Sequence, residues 1–98
     1  MSRQIVVKRI AENEFYEAVT WYEEQQTGLG IRFAENVWKC FGRILENPRL
    51  FAPTKHGTGR AVVRRFPFII EFRERGEEIR IVAVFNTSRD PNRLKHRC

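Results

Sequence analysis

Between Gly59 and Pro91 the chain reads GRAVVRRFPFIIEFRERGEEIRIVAVFNTSRDP, and the side chains in it best suited to act on a ligand are arginines. A guanidinium is a planar fork of donors that stays charged and grips phosphate or carboxylate oxygens two at a time. One enzymatic chemistry fits such a set, the cleavage of RNA by attack of its own 2′-OH. That reaction needs a base for the hydroxyl, an acid for the leaving oxygen and cations for the charge that builds on phosphorus. Arg64, Arg65, Arg73 and Arg89 can supply the cations, and His56 or His96 the proton transfer. His56 falls in a loop and His96 two residues from the end, where a solvated imidazole is the simpler reading.

The arginines divide by their surroundings. Arg73, Arg75 and Arg80 lie close to Glu71, Glu74, Glu77 and Glu78, which favours pairing across strands. Arg60, Arg64, Arg65, Arg89 and Arg93 have few acids near them in the chain and are the better candidates for gripping a target or a nucleic acid. The other constellations are missing. The sequence has no phosphate-loop or dinucleotide glycine pattern, no metal-ligand spacing and no serine elbow, so neither metal nor cofactor is expected. TKHGTG (residues 54–59) fails the phosphate-loop spacing and reads as a surface loop.

The charge behind these candidates is lopsided. The chain carries 18 Lys/Arg against 12 Asp/Glu, a net of +6. Residues 1–46 hold six bases and seven acids, so the surplus lies wholly after residue 46, where ten of the twelve bases are arginine. A basic half of this kind implies an acidic partner, whether nucleic acid or an acidic protein segment. Ninety-eight residues, 42% hydrophobic and 12% aromatic, make one folded domain over residues 1–98. The longest late apolar run, Ile81–Phe85, falls far short of the roughly 20 residues a spanning helix needs, so no membrane role is expected. The opening MSRQIVVKRI has no apolar signal core, and the two cysteines, Cys40 and Cys98, suit free thiols, so a cytoplasmic protein is expected.

The elements that must position these residues follow from periodicity. RQIVVKR reads as a strand with Ile5 and Val7 on one face and Val6 on the other. Phe15, Ala18, Val19 and Tyr22 predict a helix from about Ala11 to Gln26, with Tyr16 and Trp21 flanking the stripe. QQTGLG breaks it, and Thr27 is placed to cap a second helix. There Phe33, Ala34, Val37, Cys40, Phe41, Ile44 and Leu45 make one apolar stripe, flanked by Trp38, until Asn47-Pro48 stops it. Three strands are then predicted over 61–66, 68–73 and 78–85, with a hairpin turn at Arg75-Gly76. The sum is an α+β domain of order β-α-α-β-β-β, its helical hairpin packed on one face of a small, mostly antiparallel sheet. Phe33, Val37, Phe41, Ile44, Ile70, Phe72, Ile81 and Val84 should form its core.

Four separated stretches, TGLGIRFAENV (27–37), ILENPRLF (44–51), VRRFPFIIEFR (63–73) and IVAVFNTSRDP (81–91), occur in this order. On them the chain resembles the RelE/ParE superfamily of type II toxin–antitoxin toxins, and it looks closer to the ParE branch. The resemblance implies a β-α-α-β-β-β fold and a plasmid-stabilisation type of toxin that arrests growth unless a cognate acidic antitoxin binds it. ParE-like toxins are associated with poisoning of DNA gyrase, RelE-like ones with cleavage of mRNA on the ribosome. The residues that match are Arg64 and Arg65 in RRFP and Arg89, Asp90 and Pro91 in RDP. Two positions depart from the pattern: Asn86 stands where ParE-like chains often have His, and Ile69 stands nearest to a RelE-type arginine. Both weigh against ribosome-dependent cleavage, for which Arg64, Arg65, Arg89 and His96 would be the working groups. The expectation is therefore a toxin that binds gyrase without chemistry of its own. The alternatives are the endoribonuclease and a degenerate toxin that only binds its antitoxin. The antitoxin is expected to wrap the helices and the Arg-rich surface through Tyr16, Trp21, Trp38, Arg64, Arg65, Arg73 and Arg80, where aromatic and Arg anchors are typical of interfaces.

Overall fold

The computed structural model describes residues 3–51 and 57–88. Its elements are β1 (Gln4–Val7), α1 (Arg9–Gln25), α2 (Leu29–Glu46), a single 3-10 turn (Pro48–Leu50), β2 (Gly59–Val62), β3 (Phe68–Arg75) and β4 (Glu78–Asn86). The strands form one sheet in the order β1-β4-β3-β2, with β1 parallel to β4 and the other two pairings antiparallel. Both helices cover one face, as the periodicity predicts.

That face holds the core. Ile5 and Val7 of β1, Ala61 of β2, Phe68, Ile70 and Phe72 of β3, and Ile79, Ile81 and Val84 of β4 meet Phe33, Val37, Cys40, Phe41 and Ile44 of α2. Every residue expected in the core is buried. Ile81 and Val84 share a face although they are three residues apart, because the register slips between Glu71 and Phe72 and leaves Val82 unpaired. Such a bulge inserts one residue and restores the alternation on its far side. Beyond it, Ala83 and Phe85 turn to the opposite face, where they form a second, small buried cluster. Phe33 is the centre of the aromatic packing, with ring centroids 4.8 Å from Phe68, 5.2 Å from both Tyr22 and Phe66, and 6.1 Å from Phe15.

The helical hairpin closes differently from the expectation. Gly28, not Thr27, stands at the N-cap of α2, with φ +90° and no side-chain cap of its own. Thr27 is exposed and makes no cap. The carboxylate of Glu23, still on α1, accepts from the Gly28 N–H at 2.9 Å and from the Gly30 N–H at 3.0 Å. One helix thus supplies the acceptor that the first turn of the next one lacks, at a site where negative charge also suits the helix dipole. The approach is close enough that a Cβ on Gly30 would lie 2.6 Å from the Val19 carbonyl oxygen, so only glycine fits.

Several element boundaries also shift. α1 begins two residues earlier than predicted, and β3 and β4 run further, to Arg75 and Asn86. The connecting turn is Gly76-Glu77, between the paired Arg75 and Glu78. The strand expected over 61–66 is instead Gly59–Val62, and Arg64 and Arg65 belong to the turn that follows. Arg65 has φ +71°, a left-handed conformation that no strand residue holds. The Val63 N–H donates to the Phe68 carbonyl at 2.9 Å and the Phe68 N–H to Phe66 at 2.8 Å, which folds the chain around Pro67. Pro67 has no N–H to lose, and its carbonyl accepts from both the backbone N–H and the hydroxyl of Thr87.

Candidate interaction surfaces

The face of the sheet away from the helices carries the strand arginines. Register sets Arg60 of β2, Glu71 of β3 and Ala83 of β4 in one row, Arg73 beside Arg80 in the next, and Arg75 beside Glu78 in the one after. Arg60 therefore has an acid after all. Its Nε donates to Glu71 Oε1 at 2.8 Å, and Glu71 is wholly buried. Sequence proximity missed this pair because its members are eleven residues apart and meet only once β2 and β3 are in register. Arg80 pairs along its own strand with Glu78 at 3.0 Å, two residues away and hence on the same face. Arg73 lies directly opposite Arg80. Like charges at a cross-strand site repel, and among the described residues Arg73 forms no ion pair.

Arg64 and Arg65 form a separate site. Both are exposed on the β2–β3 turn, and among the described residues neither forms an ion pair. From the start of β3 to Arg73 is roughly 17 Å at the rise of an extended strand. The two clusters of positive charge are therefore separate on the surface. Arg89, Arg93, His96 and His56 lie outside the described residues, as do Asp90, Pro91 and Cys98.

On the helix side, α1 and the far half of β4 enclose a groove of about 730 Å³. β1 pairs with β4 only as far as Ile81, so beyond that point α1 runs along an edge without a strand neighbour among the described residues. Glu14 of α1 accepts from the Val84 N–H at 2.9 Å and so satisfies one donor of that edge. Tyr16 and Trp21 are exposed and line the groove together with Glu17, Phe85 and Asn86. Their neighbours Phe15 and Tyr22 meet them edge to face, at 5.3 Å and 5.1 Å. Trp38 is not part of this groove and stands exposed on α2. The Asn86 side chain accepts from the backbone N–H and the hydroxyl of Ser88, at 2.9 Å and 2.6 Å, and holds the turn after β4. The partners of Glu14 and Glu71 could not be read from the sequence, because only the three-dimensional register brings them within reach, whereas Asn86 holds Ser88 locally, two residues away.

Among the described residues no group of three or more His, Cys, Asp or Glu gathers to hold a metal, and no helix is long and apolar enough to cross a membrane. Cys40 is buried between α2 and β2, its sulfur 3.9 Å from the Val62 carbonyl oxygen, to which Arg43 also donates at 2.9 Å. Burial pushes the Cys40 thiol up from 9.0 to about 11, with the Arg43 guanidinium pulling the other way. The unfolded thiol ionises first, so the folded state keeps its proton longer. The stability this confers is complete below about pH 9 and lost as pH rises towards 11. Urea midpoints measured at pH 8 and pH 10.5 are expected to fall further for the wild type than for Cys40→Ala. Equal losses would place the thiol in contact with solvent.

No family model matches the sequence, and no curated protein does. Among solved structures the chain is similar to one from the chromosomal ParDE TA system of P. aeruginosa, with a TM-score of 0.75 at 16% sequence identity. The alignment covers 87% of this chain and 96% of that one. At this level of identity the likeness is one of fold. The β-α-α-β-β-β architecture expected from the resemblance is the one observed, and the fold is ParE-like.

Proposed function

We propose that the chain is the toxin of a type II toxin–antitoxin pair, acting in the cytoplasm and neutralised by an acidic antitoxin. The observation that carries this reading is the fold match to a protein of a ParDE system over almost the full length of both chains. The surfaces support it. Tyr16 and Trp21 offer an aromatic groove for an antitoxin segment, and Arg73 and Arg80 offer a like-charged pair that an acidic side chain would relieve.

The target we infer is DNA gyrase, met through the exposed Arg64 and Arg65. A binding mode is favoured over catalysis because the arginines are split between two sites and those of the sheet face are partly tied to Glu71 and Glu78. Purified protein added to a gyrase supercoiling assay is expected to inhibit or to trap cleaved DNA. Arg64→Ala/Arg65→Ala is expected to weaken that effect at least tenfold. Gyrase untouched at large molar excess would remove this target. Codon-aligned cuts in transcripts after induction would move the reading to the ribosome.

A further inference from the structure

The groove beside α1 belongs to the reading above; Trp38, also expected to anchor the antitoxin, lies away from that groove on a second apolar surface. Ile31 and Trp38 are 65% and 64% exposed on one flank of α2, while the sheet-facing stripe of that helix is fully used in the core. They repeat at intervals of three and four residues with Ala34 and Leu45, both half-buried, and with Phe41, whose ring is already in the core, which is the spacing of a helix–helix seam. Gly42 sits beside this seam in mid-helix. Glycine there costs about 1 kcal/mol relative to alanine, yet its backbone is ordinary and an added Cβ would meet nothing within 4 Å. Nothing in the chain's own packing calls for a glycine. A second helix approaching closely would.

We propose that this flank pairs with the same flank of a second copy of the chain, α2 against α2, antiparallel about Trp38. The arrangement of residues around Trp38 selects this occupant. Ile31 and Leu45 stand seven residues to either side of it, and Ala34 and Gly42 four to either side. An antiparallel copy sets large apolar against large apolar and small against small. The outer rim carries Arg32, Glu35, Lys39 and Glu46. Antiparallel pairing brings Arg32 near Glu46 of the second copy and Glu35 near Lys39, whereas a parallel copy would set this charged rim against the flank of Ala34 and Phe41. The rim is neutral in sum, so an acidic antitoxin segment gains little from it, unlike the arginines of the sheet. One helix pair buries less than the ~1,200 Å² typical of stable complexes, so the association is weak. This inference does not rest on the toxin reading.

Sedimentation equilibrium of the full chain from about 5 to 500 µM tests it. The expected result is a monomer that becomes a dimer across that range. Trp38→Glu should weaken the dimer at least tenfold with an unchanged circular dichroism spectrum, since the side chain it replaces is exposed. Arg32→Glu should weaken it several-fold, and Arg32→Glu/Glu46→Arg should restore it. A monomer throughout, a dimer indifferent to Trp38→Glu, or a double charge reversal that fails to restore association would each overturn the proposal.

Discussion

Replacing Phe33 by Ala is expected to remove about 3–5 kcal/mol of folding stability, out of the ~5–15 kcal/mol a small domain has in total. The side chain is 0% exposed and touches rings from α1, from β3 and from the turn before it. No neighbour can collapse into the space without leaving its own contacts, because Tyr22, Phe66 and Phe68 all pack on Phe33 and Tyr22 also packs on both Phe66 and Phe68. Urea denaturation followed by circular dichroism measures the loss. A change below about 1 kcal/mol would mean that the helical hairpin does not seat on the sheet as described.

Arg60→Ala comes second, at about 2 kcal/mol. Removing one partner of a buried ion pair leaves a carboxylate in a poorly solvated site, which in fully buried pairs costs about 3–5 kcal/mol. The smaller figure allows for the 38% exposure of the Arg60 side chain and for the other interactions of Glu71. Adding Glu71→Gln to Arg60→Ala should recover part of the loss, because the stranded charge is then gone. A double mutant less stable than the sum of the two singles would contradict a direct pair between them.

Both effects are read from features of different legibility. The core of α2 is plain in the sequence, since its stripe repeats without interruption and Asn47-Pro48 marks its end. The cap of α2 is not, because the acceptor is Glu23 on the preceding helix rather than the nearby Thr27. Val63-Arg64-Arg65-Phe66 looks like strand by composition, and the left-handed φ of Arg65 that makes it a turn leaves no mark in residue types. The Arg60–Glu71 pair and the opposition of Arg73 to Arg80 depend on register, which local pattern leaves open. The bulge at Val82 is legible only in retrospect, from the burial of both Ile81 and Val84. Helical stripes thus show through, while the site depends on pairings between strands distant in the chain.

Induction of the chain in a bacterial host, with and without the product of the adjacent gene, tests its reading as a toxin most directly. Growth is expected to stop on induction and to resume when the adjacent product is co-expressed, with the two proteins recovered as one complex. Normal growth in cells that accumulate the folded, soluble chain would contradict it.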